Sequence, residues 1–415
     1  MANSKYEYVK SFEVEDEVMP PNLIVVRIDG RDFRRFSEVH EFEKPNDEKA
    51  LNLMNQCAMA VLEEYPDIVF SYGYSDEYSF VLKKTSKFYQ RRSRMLKNKT
   101  EMNFSINNLV EHVVKYNEDG TPVKRLRRKP SIFHSENIAG RSFWNEHASL
   151  LKELRGFSED CFKLNPDYIR SFLFESKMMP SIWIVIRIDG CHFHRFSDIH
   201  EFNKPNDKQA LDLMNLCAVA VLEEFQDIIF SYGVSDEYSF VLKKDSQLYQ
   251  RRASEIVSVI LSFFSSMYVM KWKDVFPKKE LKYPPSFDGR AVCYPSAEIL
   301  RDYLAWRQVD CHINNQYNTC FWSIVKSGKS KSEAQSYLKG TQAREKNELL
   351  LKEFGIDYNT LPPMFRQGSS VFRVKTETSI RENGASVRKA QTEIITEYCN
   401  IIEQSFWESH PSILD

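Results

Sequence analysis

The sequence predicts an α+β protein in which one β-α-β-β unit occurs twice. Three observations carry that expectation. Residues 24–92 and 184–252 align without a gap at a constant offset of 160, with 50 of the 69 pairs identical. Each copy opens on a β-branched run, residues 23–28 or 182–188, that stops at Asp-Gly. Each continues with apolar residues at helical spacing, then two short β-rich runs separated by a turn. A repeat this long is a duplicated domain, since solenoid units span about 20–50 residues. The order β-α-β-β suggests a split βαβ sheet of the ferredoxin type.

Apolar residues fill both faces of the opening runs, so both are expected as fully buried strands. After K-P-N-D, helices are expected over residues 50–64 and 210–224, with Asp47 and Asp207 as N-caps. The blocks I-V-F-S-Y-G and Y-S-F-V-L-K-K, joined at S-D-E, read as a hairpin. Beyond residue 252 the copies diverge. The second continues with a long helix over 253–273, a loop containing Y-P-P-S-F-D-G-R and a helical region ending in H-I-N-N-Q-Y-N-T-C-F-W. One further helix is expected to hold L-K-G-T-Q-A-R-E-K-N-E-L-L. The first copy runs instead into a charged, weakly periodic stretch, residues 93–130, expected as a linker. It then shows S-F-W-N-E-H at 142–147, which echoes S-F-W-E-S-H at 405–410. From opening strand to that tryptophan the first copy takes 121 residues and the second 224, so the first is expected to be incomplete. The domains expected are 1–92, a partial first repeat; 93–178, a linker and remnant tail; and 179–410, a complete second repeat.

With 415 residues, 42% of them hydrophobic and 28% charged, the chain has room for two or three domains with real cores. A net charge of −1 excludes a uniformly basic nucleic-acid coat but leaves room for local basic patches. The longest apolar stretch, residues 257–270, is interrupted by serines and reads as too short and polar to span a bilayer. No apolar signal-peptide core stands at the N-terminus, and no membrane association is expected. Eight cysteines without a C-x-x-C pair support neither a zinc knuckle nor a disulfide framework. They are expected as reduced thiols in an intracellular protein.

The chemistry is sought in what the copies share. Asp29 and Asp76 lie 47 residues apart, and so do Asp189 and Asp236. Alone, Asp-Gly is a turn signal and acids in a hairpin turn are solvated. In a β-α-β-β unit, however, the end of the first strand and the later hairpin can lie at one edge of the sheet. Two carboxylates meeting there repel unless a cation or a proton separates them. A few hard oxygen ligands suit Mg²⁺, which takes its remaining ligands from water and substrate phosphates. The expectation is a two-metal phosphoryl or nucleotidyl transfer site. The run Asp189-Gly190-Cys191-His192-Phe193-His194 would offer consecutive amides to a triphosphate. Ser235 would add a hydrogen bond, and Lys204 either a charge on phosphate or a merely solvated lysine. Neither G-K-[ST] nor G-x-G-x-x-G is present, so these phosphate cradles are excluded, and no nucleophile elbow supports a serine hydrolase.

At these residues the match to a known family is specific. The ordered blocks R-I-D-G-x-x-F-x-R-F-S, H-x-F-x-K-P-N-D, Y-G-x-S-D-E-Y-S-F and H-I-N-N-Q-Y-N-T resemble tRNA(His) guanylyltransferases, in particular the tandem-repeat form of plants. The resemblance covers residues 179–410 of the second copy, and 21–92 plus the tail of the first. It implies a polymerase palm-type catalytic domain. The implied activity adds GMP to the 5′ end of tRNA(His): ATP adenylylates the 5′-monophosphate, the 3′-hydroxyl of GTP displaces AMP, and pyrophosphate is removed. Two Mg²⁺ ions are implied at Asp189, Gly190 and Asp236, with Asp29, Gly30 and Asp76 matching in the first copy. Asp189, Asp236 and Glu237 are the implied catalytic residues, with Glu237 supporting metal or hydroxyl positioning.

GTP is implied along Asp189, Gly190, Cys191, His192, Phe193 and His194 with Ser235 and Asp236. In the first copy the match is Asp29, Gly30, Arg31, Asp32, Phe33 and Arg34 with Ser75 and Asp76. Candidates for ATP or tRNA contact are Lys204, Arg290, His312, Asn314, Asn315, Lys339 and Lys346. The histidine and amides read equally well as a polar cluster structuring a helix-loop junction, and the lysines as a solvated face. The resemblance also implies a homo-oligomer. The other readings are a palm-fold nucleotide cyclase, or a non-catalytic tRNA-binding scaffold whose first copy is a remnant. The basic hexamer at 124–129 reads as a nuclear-import signal, ahead of an RNA contact or solvated charge.

Overall fold

The computed structural model describes residues 4–13, 24–83, 85–87, 106–116, 122–131, 146, 177–382 and 385–414. The chain forms two compact units, Met1–Val14 with Ser176–Asp415, and Glu15–Glu175. This differs from the expected divisions. The first fourteen residues belong with the second repeat, and no boundary falls at residue 92.

In the unit Glu15–Glu175, β1 (Ile24–Asp29), α1 (Phe33–Val39), α2 (Glu48–Glu64), β2 (Ile68–Tyr74) and β3 (Glu77–Leu82) follow in order. The three strands form an antiparallel sheet, β1-β3-β2. Asp47 caps α2 by accepting the Ala50 amide, as its position before the apolar pattern predicts. Ile24, Val26, Phe80 and Leu82 bury one sheet face against Met54, Ala58 and Leu62 of α2. On the other face Val25 is 57% exposed, so β1 is not the doubly buried strand that its composition suggests. The stretch expected as a linker also differs, because Ile106–Tyr116 (β4) and Pro122–Ser131 (β5) pair as an antiparallel hairpin. The run I-N-N-L-V-E-H-V-V-K-Y carries enough β-branched positions for a strand despite its polar flanks. β4 runs beside β2 and β5 beside α2. The basic hexamer lies in β5, while the S-F-W-N-E-H echo, apart from Glu146, lies outside the described residues.

The larger unit is fuller. It contains β6 (Trp183–Gly190), α3 (Phe193–Ile199), α4 (Lys208–Glu224), β7 (Ile228–Val234), β8 (Glu237–Leu242), α5 (Ala253–Val275) and β9 (Phe287–Tyr294). There follow α6 (Ala297–Lys326), α7 (Lys331–Leu338), α8 (Ala343–Phe354), α9 (Pro363–Gln367), β10 (Ser369–Glu382), β11 (Ala385–Glu397) and α10 (Gln404–Ser409). The sheet order is β11-β10-β7-β8-β6-β9, antiparallel at every pairing. Parallel β6 and β7 therefore flank β8, the split βαβ arrangement.

Both sheet faces are covered. Ile184, Ile186, Ile188, Phe240 and Leu242 pack on α4 and α5. Trp183, Val185, Phe230 and Val241 pack on Leu300, Tyr303 and Leu304 of α6 and on Phe406 and Trp407 of α10. Val185, the counterpart of Val25, is fully buried. α5 is long and apolar enough, by length and composition, to cross a membrane. Here its apolar stripe, Ile256, Ile260, Phe264, Tyr268 and Trp272, lies in the core of the unit. The single helix expected around L-K-G-T-Q is two helices. Gly340, at a φ of 81°, breaks the run, and Gln342 and Glu345 form a capping box that starts α8.

Candidate active site

β6 ends and β8 begins at one edge of the larger sheet. Asp189 stands opposite Glu237 in register, and the Gly190 amide donates to the Asp236 carbonyl at 3.1 Å. A Cβ on Gly190 would come within 2.7 Å of Asp236 Oδ2, so only glycine lets the strand end this close to the carboxylate. Ser235 holds the turn at a φ of 55° and hydrogen-bonds the Asp236 side chain. Asp288 of β9 is the partner of Asp189 on its other side.

This crowding sets the charge state. Burial, then Glu237 and Asp236, push the Asp189 carboxyl up to about 7, with Arg187 opposing them. Asp236 is also raised, chiefly by burial, against the Ser235 hydrogen bond. Arg187 Nη2 lies 3.3 Å from Asp189 Oδ2 and also bonds Glu237. Burial favours the neutral guanidine at Arg187, but Glu237, Tyr303, Asp189 and Glu13 reverse this and keep it charged. Arg307 of α6 forms an ion pair with Glu237 Oε1 at 2.8 Å. Glu237, expected as catalytic, is thus paired with two guanidinium groups.

The two aspartates and the Gly190 carbonyl form an oxygen-only donor set of low count, which fits Mg²⁺ better than a thiolate- or imidazole-seeking metal. Among the described residues no group of three or more His, Cys, Asp or Glu side chains is placed to hold a metal.

Beside the acids is a cavity of about 560 Å³, lined in part by Gly190, His192, Phe193, His194, Ser235 and Asp236. Its volume is that of a site for a drug- or nucleotide-sized ligand. Cys191 does not line it: its amide donates to the Ser286 carbonyl at 2.7 Å and its thiol to Asp288 at 3.5 Å. The expected run of free amides is therefore shorter, since Gly190 and Cys191 have spent theirs and only His192 to His194 open α3.

Of the remaining candidates, Lys204, Asn314 and Asn315 line the cavity. Lys204 Nζ donates to Ser197 Oγ at 2.5 Å and lies 3.3 Å from Asp198. Asn315 bonds Asn206 at 2.8 Å and Tyr358 at 3.2 Å, so it also ties α6 to its neighbours. His312 does not line the cavity. Its carbonyl accepts from Tyr358 at 3.1 Å, and burial lowers its pKa. Lys346 donates to the Thr341 carbonyl at 2.6 Å, Lys339 is exposed after α7, and Arg290 is paired with Glu13 at 2.6 Å.

The first repeat builds the same edge in the open. The Gly30 amide donates to the Asp76 carbonyl at 3.1 Å, and a Cβ there would lie 2.7 Å from Asp76 Oδ2. Arg27 lies 3.4 Å from Asp29 and bonds Glu77, and Ser75 Oγ donates to Asp76 at 3.0 Å. The side chains of Arg27 and Asp29 are 52% and 61% exposed, against 13% and 37% for Arg187 and Asp189. Arg31 sits 3.5 Å from Asp32, Arg34 sits 3.2 Å from Glu38, and the Phe33 ring packs on Phe36 at 5.2 Å.

The comparisons agree with the motifs. The family described as tRNAHis guanylyltransferase matches residues 6–139 and 166–295, and the one described as Thg1 C terminal domain matches 298–404. The chain belongs to the tRNA(His) guanylyltransferase family. Among its relatives is tRNA(His) guanylyltransferase 2 of Arabidopsis thaliana, 53% identical and covering 100% of this chain and 99% of that protein. That alignment runs to 534 positions, more than the 415 residues here, so part of that relative has no counterpart in this chain. Guanylyltransferase 1 of the same plant is 55% identical, covering 100% of this chain and 91% of that one. The crystal structure of tRNA(His) guanylyltransferase from Saccharomyces cerevisiae is 42% identical, with a TM-score of 0.48, over 55% of this chain and 96% of that one.

Sequence reasoning missed Arg187, Arg307 and Asp288 as parts of this site. Arg187 was open to discovery, since V-R-I-D-G and I-R-I-D-G repeat it two residues before each aspartate. Arg307 gave no local signal, because only the packing of α6 on the sheet brings it to Glu237.

A carboxyl that titrates higher in the folded than in the unfolded chain holds its proton more tightly when folded. Asp189 therefore favours folding below its ordinary 3.8 and loses that contribution as pH climbs to about 7. Without divalent cations, the melting temperature of the larger unit should fall across that window, and Asp189→Asn should flatten the fall. Calorimetry against pH checks this; parallel profiles for the two proteins would refute it.

Proposed function

We propose that the chain is a tRNA(His) 5′-guanylyltransferase whose chemistry runs in the larger unit. The observation that carries this reading is the meeting of Asp189, Gly190 and Asp236 at one sheet edge beside a nucleotide-sized cavity. In this reading ATP adenylylates the 5′-monophosphate of tRNA(His), releasing pyrophosphate. The 3′-hydroxyl of GTP then attacks the activated phosphorus and AMP leaves, after which pyrophosphate is removed from the added nucleotide. Two Mg²⁺ ions, held by Asp189, Asp236 and the Gly190 carbonyl, would neutralise phosphate charge and favour the attacking alkoxide.

The protein's own contribution is positional. Arg187 fixes the Asp189 carboxylate, and Glu237 with Arg307 fixes Arg187. His192, Phe193, His194 and Lys204 line the cavity where a triphosphate would sit. Asn314 and Asn315 of α6 line the same cavity.

The reading extends to the whole chain. The split βαβ edge bearing two acids is a polymerase palm-type unit, carried twice, with the first copy incomplete. Support comes from the near-identical repeat, from the bare face around Val25 and from the longer Arabidopsis relative. The assembly in this reading is a homo-oligomer. The basic hexamer of β5 directs the chain to the nucleus, and alanines at Lys124, Arg125, Arg127 and Arg128 should move a fluorescent fusion to the cytoplasm. Unchanged nuclear signal would remove that assignment.

The reaction itself is tested with tRNA(His) lacking the extra guanosine, Mg²⁺, ATP and labelled GTP. Label should appear at the 5′ end. Asp189→Ala or Asp236→Ala should reduce it roughly 100-fold or more, the scale of losing one preorganised charge-stabilising group. Asp29→Ala should leave most of it. Cyclic product without RNA, RNA binding without turnover, or equal loss from either repeat would each defeat the proposal.

A further inference from the structure

Residues 4–13 pack on the larger unit and bury Val9 in its core, far along the sequence from the strands they touch. Val9 is fully buried in the same cluster as Trp183, Tyr294 and Trp306. The Phe12 ring meets Tyr294 edge-on at 5.7 Å, and Tyr8 donates its hydroxyl proton to Asp302 Oδ2 at 2.5 Å. Lys10 lies over the Trp306 ring at 5.2 Å. The short helix Glu7–Phe12 ends at Glu13, and there it reaches the site's support. Arg290 Nη1 donates to Glu13 Oε2 at 2.6 Å, and Arg187 Nη1 lies 3.9 Å from Oε1.

Arg187 and Arg290 are register partners on β6 and β9. Like charges directly opposed across two strands repel. Glu13 is the carboxylate that bridges them, and Arg187 is the group that holds Asp189 and Glu237. The link from Glu13 to the acidic edge therefore has one intermediary.

The repeat extends upstream at the same offset of 160. Tyr8-Val9-Lys10-Ser11-Phe12 recurs as Tyr168-Ile169-Arg170-Ser171-Phe172, and the family match restarts at 166 as it starts at 6. Each repeat thus has its own version of this segment, with one difference in charge at its end. The counterpart of Glu13 is Leu173. A leucine cannot neutralise two facing guanidinium groups, so the second repeat's own segment lacks the group that its strands require.

We infer that the segment preceding the first repeat serves the second repeat's site in place of that repeat's own segment, with Glu13 as a positioning residue for Arg187 and Arg290. Residues 7–13 are then a working part of the larger unit, and their loss impairs its chemistry. The catalytic arm of this inference rests on the guanylyltransferase reading above, whereas the seating of the segment stands on geometry alone.

Two measurements on the full-length chain test it. In a double-mutant cycle on thermal unfolding, Tyr8→Phe and Asp302→Asn should be non-additive, as expected for groups in direct contact. In the guanylyl-transfer assay, Glu13→Gln should lower kcat about tenfold, the scale of losing an outer-shell partner, with KM for GTP little changed. Glu13→Asp should recover part of that loss, which a purely structural role would not give. An additive cycle, or a Glu13→Gln chain as active as the wild type, overturns the inference. A wild-type chain with no transferase activity but a non-additive cycle would instead defeat the functional reading and leave the seating intact.

Discussion

Three acids, Asp189, Asp236 and Glu237, meet at the end of one sheet, and two guanidinium groups hold two of them there. Repulsion among carboxylates so close would open the hairpin if nothing opposed it. Arg187 bonds both Asp189 and Glu237, and Arg307 reaches Glu237 from α6. Most of the larger unit can be traced to that requirement. α6 must cross the sheet to deliver Arg307, its Leu300, Tyr303 and Leu304 bury the second sheet face in doing so, and Gly190 must lack a side chain for the strand end to meet Asp236. The guanidinium groups settle two of the acids without satisfying Asp236, which keeps its Ser235 hydrogen bond and a raised pKa. Neutralising that acid takes either a proton or a cation.

The two repeats separate what sequence identity controls from what packing controls. Their local geometry is the same: the glycine amide bonds the aspartate carbonyl at 3.1 Å in both, and an arginine two residues upstream leans on the acids in both. Their surroundings are not. The first edge has no Arg307 or Asp288 beside it among the described residues, and its arginine and aspartate are mostly solvated. Water already stabilises charges so exposed, so a cation gains less by binding them. A site can thus keep its motif and lose the desolvation that gives the motif its force.

Much of the fold was legible. The helices capped by Asp47 and Asp207 and the hairpins closing at S-D-E follow from local chemistry, and the repeat doubled each signal. The doubly buried character of β1 was misread because Val25 and Val185 are the same residue, and only long-range packing decides which is covered. The hairpin of β4 and β5 was hidden by its charges, and the break at Gly340 by a helical pattern on both sides. At the site, the paired aspartates and the glycine were readable. The loss of Cys191 to Asp288 and the double pairing of Glu237 were not, because each depends on a strand or helix fifty or more residues away.

Metal binding is the most direct test of the central claim, that the Asp189–Asp236 edge, desolvated and braced by arginines, is where divalent cations bind. Mn²⁺ titrated into the full-length chain and followed by electron paramagnetic resonance reports occupancy without any nucleotide or RNA. Asp236→Asn should abolish the tighter class of bound Mn²⁺ while Asp76→Asn leaves it in place. Retention of that class in Asp236→Asn, or equal loss in both variants, would contradict it.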